Sequence, residues 1–268
     1  MIDKFLEKNK FIKERAIRKP PQGGSRGLRI VNLNMYFDWT YLILVLPAML
    51  FAMAASAGVN STFSKYSTQY SSKGVTGAQA ARFVLDKNGL RNIPIEQIPG
   101  KLTDHYDPTA NVIRLSGDVY NGTSTASIGV ACHEVGHAIQ HATGYTPIKI
   151  RSAIVPITNI GSKIAVPLIL VGILLSSLGE IFVWIAYVGL FGFALAAIFQ
   201  LVTLPTEFNA SSRALKTIRE NNILTPDELK GARKVLSAAA MTYMAALAVA
   251  IGQLLRMIIL VNRRTNRR

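Results

Sequence analysis

The sequence holds a single cysteine, Cys132. That excludes an internal disulfide framework and a cysteine-built metal cluster. Beside the first motif histidine described below, Cys132 reads as a small packed hydrophobe. Acids are also scarce, with fifteen Asp and Glu against thirty Lys and Arg and a formal net charge of +15. A cation site in such a chain has few carboxylates to draw on. Histidine is rarer still, at four residues. The positive charge comes without a basic-aromatic platform or nucleic-acid motif, so nucleic acid is not the expected partner. The bases flank apolar stretches instead, as they do beside anionic lipid headgroups.

Charge is missing altogether from long parts of the chain. Residues 39–57 form 19 positions without a charged side chain, and 235–255 form another 21. Residues 164–204 are interrupted only by Glu180. Crossing a bilayer takes roughly 20 helical residues, so each of the first two runs can span once. The third run, as one straight helix, would be about 60 Å long, twice the hydrocarbon core, and must be divided. Leu178-Gly179-Glu180 is the natural break, and four spans result. A cleaved signal peptide fits the first run poorly, because 38 residues precede it.

The remaining segments set the domain order. Residues 1–34 read as a basic flexible tail, with Pro20-Pro21-Gln22-Gly23-Gly24 inside it, and 35–57 as the first span. Residues 58–163 are long enough to fold as a catalytic loop domain. Residues 164–204 are the membrane hairpin, 205–232 a second loop segment, 233–262 the last span and 263–268 a basic tail. Within the large loop, helical apolar spacing runs over 76–88, with Thr76 as cap and Gly89 as stop. Residues 102–115 suggest two short strands around an Asp-Pro-Thr-Ala-Asn turn. Residues 123–141 read as one helix ending near Gly144. After the hairpin, one helix is expected over 207–220. A second, short helix ahead of the last span opens with Thr225-Pro226-Asp227-Glu228, a capping box with proline at the first position.

The segment His133-Glu134-Val135-Gly136-His137 carries the chemistry. Histidines four apart on a helix share one face, where two imidazoles can bind one Zn²⁺, and Glu134 between them is placed to take a proton from the attacking water. A catalytic zinc wants a third protein ligand and an open position. The metzincin pattern would put that ligand at residue 143, which is Thr143. His141 lies about 12 Å along the axis from His133, too far to close the same site. A carboxylate from downstream remains, and the count of spans sorts the candidates. Glu180 is one crossing away, on the opposite face. Glu207 is two crossings away and returns to the same face. Asp227 and Glu228 return too but serve as capping acids, and Glu220 sits at the far end of its helix. Glu207 is therefore the expected third ligand, its alternative role being a favourable charge in a first helical turn.

Three separated segments, LTDHYDP (102–108), ACHEVGHAIQHATGY (131–145) and QLVTLPTEFNAS (200–211), together resemble the YugP-like family of neutral zinc metallopeptidases of bacterial membranes. The resemblance runs from about Met35 to the last span. It implies a zinc peptidase with His133 and His137 as metal ligands and Glu134 as catalytic base. Related membrane endopeptidases of the heat-shock and CAAX-processing type carry a Glu-x-x-x-Asp element where Glu207 stands. Here the position of that Asp is Ser211, so a carboxylate steadying a metal-bound histidine is not expected.

The expected fold is mainly α, a polytopic membrane protein of about four transmembrane helices with a gluzincin-like zinc peptidase domain carrying a small β-hairpin. The expected function is a membrane-embedded zinc metalloendopeptidase acting on membrane or membrane-adjacent proteins, with the lipid bilayer and a peptide or protein substrate as partners. An extended peptide is expected to add as a strand beside residues 112–115. His105 and Tyr106 are candidates to stabilise the oxyanion, but a hairpin position without a catalytic role is the favoured reading for each. The competing readings are a non-catalytic zinc-stabilised membrane scaffold or chaperone, and a transporter using Glu180. An intact Glu134 argues against the scaffold, and a turn at the surface explains Glu180 more simply. The expected location is the cell membrane, multi-pass. Counted from Met35, bases flanking the catalytic loops place the zinc on the cytoplasmic face. Counting residues 1–34 as well reverses that assignment.

Overall fold

The computed structural model describes residues 39–265. The expected basic tail over 1–34 lies outside them. A π-helical stretch, Tyr41–Val45, leads into α1, Leu46–Ser67. The water-side elements follow: α2 (Gly77–Lys87), β1 (Ile95–Ile98), β2 (His105–Asp107), β3 (Val112–Ser116), α3 (Gly117–Tyr120) and α4 (Thr125–Ala142). Three long helices complete the described chain: α5 (Thr146–Leu175), α6 (Glu180–Glu220) and α7 (Pro226–Thr265). Among the described residues, four helical stretches are long and apolar enough to cross a membrane, at Tyr41–Ser67, Thr146–Leu178, Glu180–Glu220 and Pro226–Arg263. The chain is a mainly α, polytopic membrane protein with one small sheet.

Local chemistry accounts for the helix starts. The Thr76 hydroxyl accepts the Gln79 N–H at 3.2 Å while the Gln79 side chain accepts the Thr76 N–H at 3.0 Å, a reciprocal cap. Thr225 and Glu228 do the same at α7, with the Thr225 N–H donating to Glu228 Oε2 at 2.8 Å. Glu228 Oε1 also accepts the Ser72 N–H at 2.7 Å, tying the end of the first span to the start of the last. The hairpin break falls at Ser176–Leu178 and Gly179, as the apolar run requires.

Three features differ from the sequence reading. The short helix expected at Thr225 is the first part of α7, which runs unbroken from Pro226 into the last span, because no proline separates them. The helices expected before and after Pro205 are one, because α6 runs through that proline, just as α5 runs through Pro156 and Pro167. A proline removes one backbone hydrogen bond, and packed neighbours can hold the rest of the helix in line. The sheet has three strands rather than two, in the order β1-β3-β2. β1 pairs parallel to β3 and β2 antiparallel to it. The strand over 112–116 is therefore central, with both its edges occupied, and cannot accept a peptide as expected. β1 was missed because residues 95–98 are short and carry two exposed polar positions.

The core of the water-side region packs α2, the sheet and α4 against the outer parts of α6 and α7. Leu85, Ile113, Leu115, Ile128 and Ile218 are fully buried in it. Cys132 belongs to the same cluster, and burial pushes its thiol up to about 12, so it is a packed, inert side chain.

Candidate metal centre

Helix α4 brings the motif to the core with one face turned to a cavity. Ser124 caps it, accepting the Ser127 N–H at 3.1 Å. His133 and His137 lie one turn apart with ring centroids 4.7 Å from each other. Helix α6 meets α4 beside them. A Cβ on Gly136 would come within 2.6 Å of the Ala210 carbonyl oxygen, so the two backbones can approach this closely only at glycine. Glu207, three residues before Ala210, is thereby laid across the histidine pair.

Glu207 Oε2 stands 3.4 Å from Nε2 of His133 and 3.4 Å from Nε2 of His137. One donor atom from each residue fits within a 4.8 Å group. Glu207 is 2 % exposed, and its Oε2 is buried without a hydrogen-bond partner. An unpartnered buried carboxylate oxygen is costly, so the atom calls for a cation.

The outer atoms of the histidines are already engaged. Nδ1 of His133 is 3.1 Å from Ser211 Oγ, and Nδ1 of His137 is 3.0 Å from Gln140 Oε1. The Gln140 amide nitrogen donates to the Thr206 carbonyl at 2.8 Å and to Asn209 Oδ1 at 3.0 Å. Its oxygen must then accept from His137, which fixes the proton on Nδ1 and leaves Nε2 as a lone pair. Arg151 Nη1 donates to Glu207 Oε1 at 3.2 Å, holding the carboxylate with Oε2 toward the imidazoles. Burial pushes the His137 imidazole down, but Glu207, Glu134 and Gln140 outweigh it and hold the group above its ordinary value. The field that favours a proton at this ring also favours a metal ion.

Glu134 lines the same cavity, of about 260 Å³. Its Oε2 accepts the Tyr106 N–H at 2.9 Å, so the carboxylate is held by the backbone of β2. His105 and His141 border the cavity without joining the donor group. His141 packs against the Tyr106 ring at 5.4 Å, and burial, His137 and Arg151 hold its imidazole below the ordinary value. Glu180, 27 residues before Glu207 on one helix, is about 40 Å away along the axis.

Residues 41–262 match the family model described as "Putative neutral zinc metallopeptidase". The chain belongs to this family. Over 220 residues, 82 % of this chain and 96 % of the relative, it is 46 % identical to the Bacillus subtilis (strain 168) protein named "Putative membrane protease YugP". No solved structure matches the chain. Family membership implies zinc, and the donors just described are a set zinc accepts: two neutral imidazoles and a carboxylate.

Sequence reading had missed four residues around the cluster. Gln140 is one turn beyond His137, a spacing that could have exposed it. Tyr243, a cavity-lining side chain, stands out as a polar ring in an uncharged span. Arg151 and Asn209 gave no signal, since only tertiary packing brings them in.

Proposed function

We propose that this protein is a membrane-embedded zinc metalloendopeptidase that hydrolyses peptide bonds of membrane or membrane-adjacent proteins. His133, His137 and Glu207 hold the zinc, and Glu134 is the base. The observation that carries the reading is the buried, unpartnered Glu207 Oε2 facing two imidazole nitrogens. Bound zinc supplies Lewis acidity, polarising a carbonyl and acidifying water.

The chain's own residues do the rest. Glu134 takes a proton from the attacking water and delivers it to the departing amine. The Tyr106 N–H keeps one carboxylate oxygen engaged, and no hydrogen bond among the described residues occupies Oε1, which is left to carry the proton. Arg151 and Ser211 act as positioning residues, through Glu207 and His133 respectively. An extended substrate lies along the outer edge of β2 rather than beside β3, because β2 is the strand bordering the cavity. Counted from Met35, the bases flanking the catalytic segments support a cytoplasmic zinc face, whereas counting residues 1–34 supports the opposite one.

The test is purified full chain assayed for zinc content and for cleavage of unfolded protein substrates. Glu134→Gln is expected to keep stoichiometric zinc and lose activity by about 100-fold or more. Glu207→Gln is expected to lose zinc, while His141→Ala and Glu180→Gln keep it. Full hydrolysis by Glu134→Gln would overturn the mechanism, and zinc loss on His141→Ala alone would overturn the ligand set. A zinc-loaded parent without hydrolysis would favour the scaffold reading.

A further inference from the structure

A second cavity, a groove of about 520 Å³, lies between α6 and α7 on the far side of Ser211 from the histidines. Its walls differ from end to end. Lys216 and Arg219 on α6 and Arg233 on α7 supply three positive side chains, while Phe208, Leu215 and Met241 supply an apolar surface. Among the described residues, the side chains of Arg219 and Arg233 make no ion pair, and Lys216 reaches only Glu220, at 3.8 Å between two exposed groups. An exposed pair at that distance contributes little and leaves the ammonium available.

The groove's place relative to the bilayer follows from the sequence. On α6 the uncharged run ends at Thr206, and on α7 it begins at Val235. The two helices are joined by a short turn and run antiparallel. Phe208 and Met241 therefore face the hydrocarbon end of the groove, and Lys216, Arg219 and Arg233 the aqueous end. Guanidinium groups match phosphate oxygens with paired donors, and an apolar slot beside them matches acyl chain. Phe208 is 48 % exposed and Met241 39 %, so this surface is open for such a chain.

We infer that this groove is a binding site for an anionic phospholipid, its phosphate held by Lys216, Arg219 and Arg233 and its chains lying against Phe208 and Met241. An acidic peptide satisfies the charged end alone and leaves the apolar end in contact with nothing of its own chemistry. A lipid satisfies both, and the groove opens where lipids are. Occupancy would brace α6 against α7 within one turn of Glu207, on the wall that carries Ser211.

The experiment is native mass spectrometry of the full chain in detergent, with phosphatidylglycerol or phosphatidylcholine added at equal concentration. Phosphatidylglycerol is expected to stay bound and phosphatidylcholine to leave. Lys216→Gln/Arg219→Gln/Arg233→Gln should lower retention by at least about tenfold. Lys65→Gln/Lys163→Gln/Lys234→Gln, which removes the same charge elsewhere, should retain the lipid. Phe208→Ser/Met241→Ser, which keeps every charge, should lower retention severalfold. Equal retention of both lipids, or equal loss in both charge variants, would overturn the proposal. So would full displacement of phosphatidylglycerol by soluble glycerol phosphate or by an acidic peptide.

Discussion

The water-side region and the membrane hairpin are built from similar apolar residues under opposite packing rules. Around α2, the sheet and α4, the large side chains are inside: Leu85, Ile113, Leu115 and Ile128 are all fully buried. In the α5–α6 hairpin many large side chains are outside, with Trp184 66 % and Phe191 63 % exposed, and a small cluster around Ile169 and Ile173 is buried. There the helices meet mainly through small residues. A Cβ on Gly189 would come within 2.7 Å of the Ala165 carbonyl oxygen, and one on Gly172 within 2.5 Å of the Ala186 nitrogen. Water drives large apolar groups together, whereas lipid solvates them and leaves close backbone approach as the main source of contact. The proposed metal donors sit where the rules change, two from a water-side helix and one just beyond the uncharged run of a membrane helix.

The comparison breaks most completely at Gly136, where the two regimes touch. Gly136→Ala forces α4 from α6 at Ala210 and is expected to cost more than about 100-fold in zinc affinity, because the carboxylate leaves the imidazoles. Gly58→Ala, with nothing within 4 Å, should leave zinc content at the parent's level. Graded chelator dialysis reads both, and unchanged zinc in Gly136→Ala would refute this account of the contact.

The next effect separates the two cores. Ile113→Ala should destabilise the water-side region by about 2–5 kcal/mol, as for a buried large-to-small change. Phe191→Ala, on the lipid face, should stay within about 0.5 kcal/mol. Denaturant titration of both in one detergent decides, and similar losses would show that the hairpin has a core of the water-side kind.

A smaller effect is expected at the histidine supports. Ser211→Ala removes the partner of His133 Nδ1 and should lower metal affinity about 10- to 100-fold, with Ser211→Asp restoring it. If Ser211→Ala binds zinc as the parent does, the hydroxyl is not orienting the ring.

The smallest is a pH effect at β2. Arg114 beside Asp107, with two backbone N–H donors, holds that carboxyl down from 3.8 to about 2. A depressed acid stabilises the fold above its ordinary value, and the contribution is lost as pH falls from about 4 through about 2. Asp107→Asn should flatten the stability profile of the water-side region in that window alone. A parent profile already flat there would remove the ion pair from the account.

Much of this was legible because the signals were local. Uncharged run length gave the four spans, the reciprocal caps at Thr76 and Thr225 gave two helix starts, and histidine spacing gave the face that His133 and His137 share. The place of Glu207 followed from counting crossings, which needs no packing detail. What stayed hidden depends on distant partners. The continuity of α6 through Pro205 is set by neighbours, β1 is too short to show alternation, and Arg151 reaches Glu207 only after α5 folds back. The open edge of the sheet was misplaced for the same reason, since finding β1 changes which strand is central.

One consequence concerns the order in which the site can exist. On the proposed ligand set, the two imidazoles leave the ribosome 70 residues before the carboxylate does. That carboxylate reaches them only after α5 and α6 have threaded out and back across the bilayer. A nascent chain, or one stranded in the aqueous phase, has two zinc donors and no third. On that ligand set, the three-donor site is therefore complete only once the chain is correctly inserted.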